Sequence, residues 1–321
     1  MPFERVAPIM SGMPGPLLDV YRLRVDFPDV VAVNDLSLEL FAGDVYGLIG
    51  PNGAGKTTTM RAACGLQECT HGTVKVAGHD LASESREVRQ QLGFMPDFSP
   101  VYDRLTTTEF LEHFARAYEV PNRSARIEEC LELTWLMEKR HALCEGLSRG
   151  MKQRLLLGKT LLPNPQVLFL DEPASGLDPL GRIELRKLIL SLRGAGKAIL
   201  ISSHILTEMS EFCNKAGIME RGKLVKSGTI AQLGQQVGRR KMLVKWRSAD
   251  ESVVPVLSKT PGVEKVEAVP QGALFDFVGG DEALDELLRT LVQQGVRITE
   301  WRGVGDDLEQ IFLNSGAKAL M

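Results

Sequence analysis

The residues best equipped for chemistry are Gly50-Pro51-Asn52-Gly53-Ala54-Gly55-Lys56-Thr57-Thr58, which fit the spacing G-x-x-x-x-G-K-[ST]. Glycines in such a loop let successive backbone N–H groups turn inward and approach a polyphosphate with no Cβ in the way. Lys56 then reaches the β- and γ-phosphates, and the Thr57 hydroxyl can ligate Mg²⁺. A pair of acids, Asp171 and Glu172, closes the apolar run Val167-Leu168-Phe169-Leu170. The first can hold Mg²⁺ through water, and the second can orient or activate an attacking water. Alone, that pair reads equally well as a helix cap; beside a phosphate loop it reads as catalytic. A third constellation, Leu147-Ser148-Arg149-Gly150-Met151-Lys152-Gln153-Arg154, opens a helix with Ser148 as its N-cap. Ser148 there either satisfies orphan N–H groups or, with Gly150 admitting close approach, makes a second anion site. The chemistry implied is the binding of a nucleoside triphosphate.

These groups need rigid elements to hold them. Val45-Tyr46-Gly47-Leu48-Ile49 reads as a buried strand that delivers the glycine loop, and Thr57 to Cys64 as the helix that receives it, stopped by Gly65. The helix N-terminus adds its positive dipole end to the phosphate site. Val167 to Leu170 and Ala198 to Ser202 read as further strands, alternating with a helix from about Arg182 to Leu192. Such alternation predicts a mostly parallel α/β sheet, whose strand ends carry nucleotides. Upstream, Leu36-Ser37-Leu38-Glu39-Leu40 alternates as a half-buried strand. Between the phosphate loop and the acids the pattern turns helical. Thr106 and Glu109 form a capping box ahead of Phe110, Leu111, Phe114, Ala115 and Tyr118, which share one helical face.

Composition changes again near Gly234 to Lys241, a linker by its residues. Beyond it the order of elements is βαββαβ, with a helix from Asp281 to Gln294 stopped by Gly295 and a last helix over Asp307 to Asn314, which predicts a small ferredoxin-like domain. The expected organisation is therefore a lead-in over residues 1–16, a nucleotide-binding domain over 17–235 with a helical insertion at about 98–157, and a C-terminal α+β domain over 241–321. Met1 to Gly15 carries charges, prolines and glycines but no apolar core, so it reads as a disordered lead-in, not a signal peptide.

Charge and composition narrow the function classes. The 321 residues include 38 basic and 41 acidic side chains, a net charge of −3, so no global field draws the chain to nucleic acid or an anionic membrane. No apolar run approaches the roughly 18–20 residues that a membrane-spanning helix requires. Five cysteines without a metal-type cluster read as reduced thiols.

On the ordered motifs at 50–58, 147–151 and 171–172 the chain resembles the ATP-binding cassette (ABC) transporter ATPases, in particular the stand-alone ATPase subunits of ABC-2 type exporters. The resemblance covers about residues 17–235. It implies a P-loop NTPase core of the ABC ATPase kind with a helical insertion subdomain. Leu147–Met151 looks like the family's signature, Asp171-Glu172 like its Walker B acids, and Ser175-Gly176-Leu177-Asp178 like the D-loop that lies across a dimer interface. His204 matches the switch histidine that contacts the γ-phosphate, and Phe27 stands where an aromatic stacks on adenine, although their sequence contexts also fit a helix cap for His204 and a core position for Phe27. Two departures stand out: the signature reads Leu-Ser-Arg-Gly-Met, and Asp97 occupies the place of the usual Q-loop glutamine. Asp97 is carried as a metal-side contact.

The resemblance further implies ATP and Mg²⁺ as ligands and a head-to-tail homodimer, or a pair with a related ATPase subunit, in which Ser148 and Gly150 close over the partner's nucleotide. It also implies a separate integral membrane permease and a place on the cytoplasmic face of the cell membrane. Export powered by dimer closure and opening is the expected function. The competing class is a soluble ABC ATPase acting on nucleic acid or ribosomes; the chain shows neither a second cassette nor a basic stripe, so no nucleic acid is expected.

Overall fold

The computed structural model describes residues 15–97, 99–203, 209, 211–230, 232–233, 239–247 and 253–303. The lead-in, His204, most of the expected linker and the expected helix at Asp307 to Asn314 lie outside the described residues. The chain divides into two compact units, one running to position 204 and including Met219–Leu224, the other built largely from the residues after Val225.

In the first unit β1 (Leu18–Phe27) pairs antiparallel with β2 (Val30–Leu40) and with β4 (His71–Val76), and β5 (His79–Asp80) extends that sheet. Leu36, Leu38 and Leu40 point inward while Ser37 and Glu39 face solvent, as alternation in β2 requires. The second layer is a run of parallel strands in the order β3 (Val45–Ile49), β8 (Ala198–Ser203), β7 (Val167–Asp171), β6 (Leu92–Met95). Every residue of β3, β7 and β8 is buried. Strands covered on both faces need continuous apolar sequence, which is why these runs lack alternation.

Two helices set the site. α1 (Lys56–Ala63) follows β3 through the glycine loop, with Gly55 as its N-cap at φ 102. α2 (Ser85–Gln91) leads into β6. The insertion holds α3 (Thr107–Ala117), α4 (Arg123–Leu133) and α5 (Arg149–Leu161). The capping box at α3 is present in both directions: Glu109 N–H donates to Thr106 Oγ1 at 3.2 Å, and Thr106 N–H donates to Glu109 Oε2 at 2.7 Å. α6 (Pro179–Gly194) begins three residues earlier than the expected Arg182. Asp178 caps it by accepting from Gly181 N–H at 2.8 Å, and Pro179 occupies a position where its missing N–H costs nothing. The segment Met219–Leu224 spans the end of β9 (Lys215–Glu220), a turn at Arg221-Gly222, and the start of β10 (Lys223–Thr229).

The second unit contains β11 (Arg239–Trp246), α7 (Val253–Lys259), β12 (Val263–Val269), β13 (Gly272–Val278), α8 (Asp281–Gln293) and β14 (Ile298–Gly303). Its antiparallel sheet runs β12-β13-β11-β14. That is the βαββαβ arrangement expected from the sequence. Met242, Val244, Phe275 and Phe277 from the sheet meet Leu287 and Leu291 from α8 in its core.

None of the five cysteines forms a disulfide.

Candidate nucleotide site

The glycine loop turns between β3 and α1 with almost no room for side chains. A Cβ on Gly50 would fall 2.3 Å from Met219 O, and one on Gly55 would fall 2.3 Å from Ala32 O. Gly53 and Gly55 also hold φ of 78° and 102°, the left-handed region that favours glycine. The loop is clamped from below: Gly222 N–H donates to Ala54 O at 2.9 Å, and Asn34 N–H donates to Gly222 O at 2.7 Å. Gly55→Val is therefore expected to abolish nucleotide binding, because the added atoms meet backbone that cannot yield. Titration with a fluorescent nucleotide checks this, and unchanged affinity would contradict it.

Lys56 is 7% exposed and folds back over the loop, donating to Gly50 O at 2.7 Å and Pro51 O at 3.1 Å. Burial pushes its ammonium below the usual lysine value, while Glu172 and then Asp171 pull it back up. Both carbonyl bonds can be traded for phosphate oxygens without leaving the charge unsatisfied.

The strand order brings the acids to that loop. β8 lies between β3 and β7, so the C-terminal ends of all three meet at one edge. Thr57 Oγ1 donates to Asp171 Oδ2 at 2.8 Å across 114 residues of sequence. Ser202, directly paired with Asp171 in the ladder, donates its hydroxyl to Asp171 Oδ1 and accepts Glu172 N–H at 3.1 Å. Glu172 N–H also reaches Ser202 O at 3.2 Å. Glu172 itself holds φ 48°, a left-handed conformation that costs a non-glycine residue about 1–3 kcal/mol. The bonds from β8 hold that strained turn in place.

A cleft of about 470 Å³ joins these parts. Lys56, Thr57, Asp97, Asp171 and Glu172 line it together with Asn52, Gly53, Gly55 and Thr58. Gly50, Pro51 and Ala54 shape the loop behind that surface. The rest of the wall comes from Val30, Val31, Ala32, Arg221 and Gly222. Phe27, at the end of β1 and 41% exposed, is not among the lining residues. Among the described residues no cluster of three or more His, Cys, Asp or Glu side chains forms a metal cage. That donor set suits Mg²⁺, which is held by one or two protein oxygens plus substrate phosphates.

The family model described as ABC transporter matches residues 33–175. The Nod factor export ATP-binding protein I of Burkholderia lata is 37% identical over 218 residues, 67% of this chain and 72% of that protein. The chain belongs to the ABC transporter ATP-binding proteins. An uncharacterized ABC transporter ATP-binding protein of Nostoc sp. is 39% identical over 208 residues, 64% of this chain, and the chain spans 62% of that relative's length. A solved ATP-binding subunit of an ABC transporter superposes with a TM-score of 0.64 at 30% identity, covering 69% of this chain and 93% of that one.

Within this ABC cassette the segment Leu147–Met151, expected to be the signature, contributes nothing to the lining of the cleft. Ser148 caps α5 by accepting Met151 N–H at 3.2 Å, and neither Ser148 nor Gly150 lines the cleft of their own chain. A Cβ at Gly150 would meet Leu177 at 3.5 Å and Gly176 O at 3.6 Å, which is ordinary contact. Packing inside the chain therefore gives no reason for glycine at 150. Sequence reasoning found the loop and the acids but missed Ser202 and the wall at Val30–Ala32 and Arg221. The serine pair ending the apolar run Ala198–Ser203 was the available signal, since a buried strand seldom ends in polar residues without partners.

Proposed function

We propose that this ABC cassette is the ATP-binding and ATP-hydrolysing subunit of an exporter, working as a pair on the cytoplasmic face of a membrane against a separate integral permease. The observation that carries the reading is the contact between Thr57 and Asp171, with Ser202 bonding Asp171 and Glu172 together. The loop amides and Lys56 grip the phosphates. Thr57 and Asp171 would hold Mg²⁺, with Asp97 lining the same cleft, and the ion when bound would neutralise charge developing on the transferred phosphoryl group. Glu172 orients and deprotonates the attacking water, and His204 supports the γ-phosphate. Ser148 and Gly150 of the second copy close over the same nucleotide, and Phe27 stacks on its base. Positioning and charge stabilisation supply most of the acceleration.

Several facts support the membrane assignment. The Burkholderia relative is named for export. No helix among the described residues is long and apolar enough to cross a membrane, which is consistent with a permease on a separate chain.

Thr57→Ala removes one proposed Mg²⁺ ligand and leaves Asp171 with the other. Phosphate release by this variant is expected to need about tenfold more Mg²⁺ for half-maximal rate, on the order of 1.4 kcal/mol, with EDTA abolishing activity in both forms. An unchanged Mg²⁺ requirement would remove Thr57 from the metal site. Affinity capture of the tagged chain from detergent-solubilised membranes tests the permease. Recovery with ribosomes or nucleic acid in place of an integral protein would contradict export.

A further inference from the structure

We infer that Arg149 is a positioning residue that fastens the signature helix to the D-loop of the same chain, so that the catalytic end of one nucleotide site and the clasp of the other move as one piece. The inference rests on the dimeric reading above, in which Glu172 serves its own chain's nucleotide and Ser148 with Gly150 serves the partner's.

Arg149 is the first residue of α5 and stands between Ser148 and Gly150. Its Nη2 donates to Ser175 Oγ at 3.2 Å. Its stem lies on the bare α-carbon of Gly176: a Cβ there would fall 2.6 Å from Arg149 Nε and 2.8 Å from Cδ. Gly176 holds φ 75°, so this turn admits the arginine only with glycine beneath it. Ser175 N–H in turn donates to Glu172 O at 3.0 Å, which closes the loop onto the proposed base. The path from Glu172 to the signature thus takes one backbone bond and one side-chain bond.

Helix stability does not explain the arginine. The N-terminal end of a helix carries partial positive charge and favours anions, so a cation there works against the dipole. Arg149 makes no carboxylate pair among the described residues. A second arginine anchors the same helix farther along, with Arg154 Nη2 2.6 Å from Glu184 Oε2 on α6. Leu177, between Gly176 and α6, lies against Gly150. The start of α5 is therefore joined to the segment Ser175–Glu184 at its tip and again more than a turn later. Loss of the γ-phosphate from either site shifts this joined piece, which touches both nucleotides in the closed pair.

The test is the ATP dependence of phosphate release by the unaltered chain, Arg149→Ala, Arg149→Lys and the double variant Arg149→Ala with Ser175→Ala. A two-site pair has a Hill coefficient of up to about 2. The unaltered chain is expected to show clear positive cooperativity, and Arg149→Ala to fall close to 1 with ADP affinity and melting temperature unchanged. Arg149→Lys reaches Ser175 but cannot lie flat on Gly176, so it restores cooperativity in part. The double variant is no worse than Arg149→Ala, as expected for partners in one interaction. Full cooperativity in Arg149→Ala would overturn the inference. So would unchanged cooperativity with weaker ATP binding to the pair, which would make Arg149 a phosphate ligand instead. A Hill coefficient of 1 in the unaltered chain would overturn the inference, whereas a chain that stays single with ATP bound would overturn the dimeric reading beneath it.

Discussion

Glu172→Gln is expected to slow phosphate release by about 10²–10⁴-fold, the range that a positioned general base contributes. ATP affinity should change little, because Lys56 and the loop amides carry the phosphate contacts and stay intact. The substitution keeps the side chain's length and the backbone bonds to Ser202 at 3.1 and 3.2 Å, so the strained turn at φ 48° persists. What disappears is the ability to take a proton. Single-turnover hydrolysis measured beside equilibrium binding separates the two effects. Phosphate release at the unaltered rate would remove Glu172 from the role of base.

The second large effect is predicted at Ser148, far from the chain's own cleft. Ser148→Arg should abolish multiple-turnover hydrolysis, with a loss of more than about 100-fold, comparable to removing a positioned transition-state donor. Binding of ADP to the isolated chain should remain within about twofold, since Ser148 does not line its own chain's cleft. The lost N-cap costs about 1 kcal/mol of stability, which a melting curve reports separately. Gly150→Ala supplies the cleaner companion. Its added methyl meets only ordinary contacts at 3.5 and 3.6 Å inside the chain, so any fall in turnover points to a surface outside it. Weaker ADP binding in Ser148→Arg would place the serine in its own chain's site.

What the sequence disclosed was local chemistry. The glycine loop was legible because its requirements, close backbone approach and positive φ, fall within nine consecutive residues. The caps at Thr106 and Ser148 were legible for the same reason, each needing only its own first turn. The βαββαβ order was readable because each element carried its own periodicity and stop signals. What stayed hidden depends on pairing between distant segments. Ser202 reaches Asp171 and Glu172 only because β8 inserts between β3 and β7, and nothing near residue 202 states that order. The same holds for Arg149, whose meaning comes from Gly176 beneath it. The start of α6 was misplaced although its signal was present. Asp178 and Pro179 form an N-cap and first-turn pair, while the apolar periodicity that suggested Arg182 becomes regular only later.

The residue type of Asp97 marked it as a departure from the family pattern, and the fold puts it in the wall shared by Thr57, Asp171 and Glu172. Asp171 and Glu172 act on the buried Lys56 ammonium, and Asp97 adds a further carboxylate to the same wall, a charge arrangement that favours a divalent cation arriving with a polyphosphate.

The most direct test of the account is the mass in solution of the Glu172→Gln chain, measured by light scattering with and without ATP and Mg²⁺. The expected mass is 35.3 kDa without nucleotide and twice that with it, because each nucleotide would be clasped by the loop of one copy and Ser148 of the other. A mass that stays at 35.3 kDa under saturating ATP and Mg²⁺ would contradict it.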